Sequence, residues 1–102
     1  MKKIKSFRKN LIRSLKDPIE ASEYINAALR EGDSSFLLEA LRDVTEAQGG
    51  FSKLARATKL NRANLYQMLS AKGNPRIQSI ESVLKVFGLR FGVLPDSHRK
   101  AA

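Results

Sequence analysis

The sequence predicts an all-α fold: five helices over residues 17–88, followed by a short strand over residues 89–95. Three observations predict it. Apolar residues recur at i, i+3, i+4 and i+7, the spacing of one helix face, through most of residues 17–87. Helix-start and helix-stop residues punctuate that pattern at Asp17-Pro18, Gly32-Asp33, Gly49-Gly50, Asn61 and Gly73-Asn74-Pro75. The period shortens to two at Leu89-Arg90-Phe91-Gly92-Val93, where apolar and non-apolar residues alternate as in a half-buried strand.

Residues 1–16 precede the first well-signalled helix. Ile4, Phe7, Leu11, Ile12 and Leu15 are spaced loosely for a helix, there is no strong N-cap, and the cations repel one another. This segment reads as a basic N-terminal arm or a short helix that orders on a partner. Asp17-Pro18-Ile19-Glu20 then opens a helix with a cap, a proline at the first helical position and a glutamate three residues after the cap. Ala21, Tyr24, Ile25, Ala28 and Leu29 form its apolar stripe. Gly32 ends it and Asp33 or Ser34 caps the next helix, whose buried side is marked by Leu37, Ala40, Leu41, Val44 and Gln48.

Residues 51–69 read as two short helices joined by a tight turn, the arrangement of a helix-turn-helix DNA reader. Leu54 and Ala55 face the core, Leu60 plugs the turn, and Asn61 caps the second helix. In that helix Leu65, Met68 and Leu69 make one apolar stripe, which turns Ala63, Tyr66 and Gln67 outward, with Arg62 at the exposed N-terminal edge. Donors, acceptors, one methyl and no acid are what a recognition helix offers a major groove. Lys53, Lys72 and Arg76 lie near the ends of the motif helices as phosphate contacts. Gly73-Asn74-Pro75 turns the chain into a last helix with Ile77, Ile80, Val83, Leu84 and Phe87 inward, ended by Gly88.

Charge supports this reading more than pattern does. The chain of 102 residues carries a net charge of +9, unevenly placed. Residues 1–16 hold seven basic side chains and no acid, residues 17–48 hold eight acids against Arg30 and Arg42, and residues 49–102 hold ten basic groups against Glu81 and Asp96. The two-helix motif therefore lies in a basic half, as a phosphate-binding surface requires. The acidic block is the surface with the sign to meet a basic protein partner, and Glu20, Glu23, Glu31, Asp43 and Glu46 are its candidates. Otherwise the acids are expected at helix starts or on solvent faces.

Several classes recede. There is no cysteine, which excludes disulfides and thiolate metal sites and suits a reducing cytoplasm. No apolar run approaches a membrane span, and the basic start lacks the apolar stretch of a secretory signal. His98 has no second ligand nearby, no phosphate loop or nucleophile–base pair appears, and nothing calls for a metal or cofactor, so an enzyme is not expected. The strand Leu89–Leu94 finds no mate within the chain and is expected to pair with its copy in a homodimer, with Leu89, Phe91 and Val93 at the interface. Residues 96–102 read as a flexible tail.

Tyr24-Ile25-Asn26-Ala27-Ala28-Leu29, Ala40-Leu41-Arg42-Asp43-Val44, Leu54-Ala55-Arg56, Asn64-Leu65-Tyr66-Gln67-Met68-Leu69-Ser70, Gly73-Asn74-Pro75 and Val86-Phe87-Gly88-Leu89 resemble small bacterial addiction-module antidotes of the HigA type. The likeness spans roughly residues 17–94. It implies a lambda-repressor-like fold, a homodimer on a palindromic operator, repression of a shared operon, and neutralisation of a cognate toxin, usually of the ParE/RelE group. By position it implies base reading by Arg62, Ala63, Tyr66 and Gln67, with Ser52, Lys53 and Asn61 close to phosphates. Two features depart from the family: Lys59 stands where the turn commonly has glycine, and the start of the chain is unusually basic. The alternatives are a stand-alone prophage regulator of the Cro kind, and an RNA- or nucleoid-binding protein that uses charge alone.

Overall fold

The computed structural model describes the backbone of residues 2–96 and side chains from Lys5 onward. Residues 97–102, which include His98 and nearly all of the expected tail, lie outside the described residues. The elements are six helices: α1 (Lys2–Ser14), α2 (Pro18–Arg30), α3 (Ser34–Ala47), α4 (Phe51–Thr58), α5 (Arg62–Met68) and α6 (Ile77–Val86).

The all-α expectation holds, but the count of five helices does not. The additional helix is α1, built from the segment expected as an arm or short helix. It is held by long-range partners that local sequence does not reveal. Leu15 is buried, Leu11 and Ile12 pack against the core, and the Gln48 side-chain amide donates to the carbonyls of Leu15 and Lys16. Arg8 reaches Asp43 at 3.0 Å. Those anchors offset the cationic self-repulsion of α1, which is spread over its outer face.

Expected caps are found at the next two helices. Asp17 accepts from the Ile19 amide at 2.8 Å and Asp33 from the Ser35 amide at 2.9 Å. The Ser35 amide, with the Ser35 hydroxyl, holds the Asp33 carboxyl below its ordinary pKa. Helix α3 is the centre of the molecule. The sequence marks a single buried side for it, yet Leu38, Asp43, Thr45 and Ala47 are buried along with Ala40, Leu41 and Val44. Both α1 and α2 pack on α3, so its buried surface is wider than one stripe. Leu54, Leu65, Leu69, Val83, Leu84 and Phe87 complete the core from α4, α5, α6 and the ends of the last two.

The expected strand is not formed: residues 89–96 carry no regular structure. A strand requires a neighbouring edge for its backbone groups, and the rest of the described chain is helical. The Leu89 amide instead bonds the Leu84 carbonyl at 2.8 Å, closing the end of α6. Leu89 and Phe91 line a cavity of about 110 Å³ with Ile25, Leu29, Leu41 and Leu84. Val93 and Leu94 face outward, 98% and 86% exposed.

Candidate nucleic-acid interface

The pair α4–α5 is locked by local chemistry. Thr58 Oγ1 donates to the Leu54 carbonyl at 2.8 Å and accepts from the Leu60 amide, so the end of α4 is tied to the turn. Lys59 takes the left-handed conformation, φ 63°, at the position where a glycine is common in the resembled family. Asn61 Oδ1 accepts from the amides of Ala63 (2.8 Å) and Asn64 (3.2 Å) and caps α5 as its sequence position requires. Leu65 and Leu69 are fully buried, which fixes the rotation of α5.

The far end of α5 is fixed from two sides. Arg42, on α3, donates through its guanidinium to the Leu69 carbonyl, placing a cation at the C-terminus of the helix. Gly73 passes so close that a Cβ there would overlap the Met68 carbonyl oxygen. The turn after α5 therefore requires glycine for space, a need that the Gly-Asn-Pro sequence signals.

With α5 oriented, Arg62, Ala63, Tyr66 and Gln67 are all exposed, as expected. Tyr66 stacks on Phe51, the first residue of α4, with ring centroids 4.1 Å apart and an interplanar angle of 15°. The Arg62 guanidinium carbon lies 5.6 Å from the centre of the same tyrosine ring. Phe51 is a residue that sequence reasoning did not assign. Its signal is an aromatic at the first position of α4, where it packs partly against the core and partly under Tyr66.

The remaining candidates fall into three places. Ser52 shares a surface depression with Arg62, Tyr66 and Phe51. Lys72 and Arg76 share another with Gln67, beyond the C-terminal end of α5. Lys53 is exposed outside both, its side chain folded along Gly49, where an added Cβ would stand 2.7 Å from Lys53 Cδ. Asn61 is exposed, but its Oδ1 is committed to the cap, which leaves its side-chain NH2 as the outward donor. Arg8 from α1 also borders the first depression, and nothing in the sequence pattern linked it to this surface.

The acidic candidates divide. Glu20 and Glu23 on α2 and Glu31 at its end are exposed, and at about 100° per residue they share one face. Glu46 is exposed and 3.4 Å from Arg8. Asp43 is different and corrects the expectation that acids sit at helix starts or on solvent faces: it is 5% exposed. One of its oxygens accepts from Arg8 and the other from the Tyr24 hydroxyl at 2.6 Å, so Asp43 joins three helices instead of offering itself to a partner. The hydrogen bond from Arg8 to Asp43 raises the guanidinium pKa further. Burial, then the bond to Asp43, raises that of the Tyr24 phenol well above its usual range. Of the interface candidates, Leu89 and Phe91 are occupied in part by the chain's own cavity and Val93 is open.

The fold and this surface define an all-helical protein with an acid-free helix face on its exterior, anchored at both ends. The chain belongs to the family of probable addiction module antidote proteins, whose family model matches residues 3–95. That span takes in α1 as well as the segments that carry the resemblance. A Haemophilus influenzae relative described as an uncharacterized protein is 35% identical over 74 residues, 72% of this chain and 75% of the relative. No solved structure matches the chain. No described helix is long and apolar enough to cross a membrane.

Proposed function

We propose that this protein is a dimeric, sequence-specific DNA-binding antitoxin of the cytoplasm that represses its own operon and neutralises a toxin of the ParE/RelE type. The observation that carries the DNA half of this reading is the mounting of α5. Its cap, its buried Leu65 and Leu69 and the Arg42 anchor hold it, and Arg62, Ala63, Tyr66 and Gln67 are left outward. As a helix-turn-helix in a lambda-repressor-like domain, the α4–α5 pair would set α5 in the major groove. Arg62 can then span the two acceptors of a guanine, Gln67 can pair with an adenine edge, and the Ala63 methyl can meet a thymine methyl. Ser52, Lys53, Asn61, Lys72 and Arg76 would hold phosphates and set register.

Family membership supports the toxin half. Glu20, Glu23 and Glu31 give α2 one acidic face, with Glu46 beside α1, and a basic toxin is the partner that suits that sign. Masking of a toxin surface and occupation of a promoter are both steric, so the mechanism needs no catalytic group.

Binding to the DNA upstream of the protein's own gene, measured against a scrambled duplex at matched salt, tests the reading. Arg62→Ala should cost about 1–3 kcal/mol at the cognate site and less on scrambled DNA. Equal losses on both would reduce Arg62 to a phosphate contact, and equal wild-type affinities would leave a charge-driven binder. For the toxin half, Glu20→Lys with Glu23→Lys should slow association with the product of the adjoining gene while operator binding holds. Unchanged association would move the toxin site away from α2.

A further inference from the structure

We propose that α1 is a second DNA-binding element, whose outer face grips the phosphate backbone beside the site read by α5; this rests on the DNA-binding reading above. Three observations lead to it. Lys5, Lys9 and Arg13 stand at i, i+4 and i+8 on α1, all exposed, and α1 contains no acid to offset them. Arg8 and Leu11 of α1, with Leu15 just beyond it, make its contacts to the rest of the molecule and lie on a neighbouring face, so the stripe is left without a partner among the described residues while the helix itself is fixed. Arg8 borders the depression that Ser52, Arg62 and Tyr66 also line, so α1 adjoins the recognition surface.

The direction of the helix adds a fourth argument. Arg8 meets Asp43 and the Leu15 carbonyl meets Gln48, so α1 and α3 run in the same sense. Tyr24 of α2 reaches Asp43 from one flank of α3, while Arg42 reaches α5 from the other. With both helices right-handed, the stripe 5–9–13 turns toward the α5 flank and away from α2. A row of cations along that flank suits the regular phosphates of a duplex. A basic toxin would be repelled by it. The ion pair with Asp43 and Glu46 makes Arg8 the fastener of α1, and the stripe its binding face.

The test compares the full chain with Lys5→Gln, Lys9→Gln and Arg13→Gln combined, on cognate and scrambled duplexes across a salt series. None of the three side chains belongs to the core, and a thermal melt confirms that the variant folds. The slope of log K against log salt should shrink by roughly two to three units, since each lost phosphate contact removes about 0.9. The ratio of cognate to scrambled affinity should stay at the wild-type value, and phosphate-ethylation interference should disappear at positions flanking the half-site. An unchanged slope with wild-type discrimination intact would overturn the role of α1 alone. Wild-type protein that binds no DNA would overturn the parent reading and this one together. Loss of toxin affinity with the salt slope preserved would also overturn it, in favour of α1 as a protein-binding face.

Discussion

Tyr66 lies flat on Phe51, with ring centroids 4.1 Å apart, and the Arg62 guanidinium sits 5.6 Å from the same tyrosine ring. Two residues of the proposed reading face are thereby linked to the first residue of the preceding helix. A free arginine side chain would lose considerable rotamer freedom on docking, and a pre-positioned one loses less.

Phe51→Ala should therefore weaken operator binding although Phe51 is assigned no base. Offset aromatic pairs contribute about 0.5–1.5 kcal/mol beyond area burial, which sets the expected loss at the cognate site. Scrambled DNA should be bound nearly as before, and Phe51→Tyr should restore the cognate preference. Anisotropy titrations on both duplexes measure this. Parallel losses on both would show that Phe51 only packs α4.

Elements whose signals are local were legible in the sequence, and those whose anchors lie far along the chain were not. Asp17, Asp33 and Asn61 cap the helices they were expected to cap, because a cap involves only the two or three residues that follow it. The outward set on α5 follows from the buried Leu65 on that helix and Leu69 at its C-terminal end. By contrast, α1 depends on Arg8 finding Asp43, 35 residues on, and the burial of Asp43 depends on Tyr24, 19 residues before it. No local pattern announces such partners, so the sequence of α1 reads as an arm or a short helix and Asp43 as a surface acid. The segment after α6 shows the converse: alternation at Leu89, Phe91 and Val93 predicts a strand, but alternation supplies no edge to pair with.

Lys59 offers a test of the turn. Its left-handed backbone, φ 63°, costs a residue with a Cβ about 1–2 kcal/mol. Glycine removes that cost but loses about 0.5–1 kcal/mol more in conformational freedom on folding. Lys59→Gly should therefore stabilise the chain by about 0.5–1 kcal/mol. The urea midpoint should rise at constant m-value. A lower midpoint would mean that the lysine side chain makes a stabilising contact that outweighs the strain.

Tyr24 predicts an alkaline limit. In the folded chain, burial and the hydrogen bond to Asp43 keep the phenol neutral above its usual range. In the unfolded chain it ionises near its ordinary value of about 10. A folded pKa raised above the unfolded one gives stability that is complete below about pH 10 and declines as pH rises beyond it. Tyr24→Phe should flatten that decline, while costing about 1–2 kcal/mol at neutral pH through the lost bond to Asp43. Chemical unfolding of both proteins at a series of pH values separates the two effects. Identical alkaline slopes would show that another group sets the limit.

The proposed dimer is best probed at its outermost residues. Removing residues 89–102 would strip Leu89 and Phe91 from the chain's own cavity beside Ile25 and Leu84, so lost dimerisation and lost folding would be confounded. Val93 and Leu94, 98% and 86% exposed, leave the core untouched. Burying a large aliphatic side chain contributes about 1.5–3 kcal/mol, and a two-fold axis counts each residue twice. Val93→Asp with Leu94→Asp would replace that gain with repulsion between like charges across the axis. The variant should sediment as a folded monomer. It should bind a single half-site as the wild type does, but lose the tighter affinity for two half-sites spaced about one DNA turn, roughly 34 Å. A variant that still sediments as a dimer would place the interface on the helices instead.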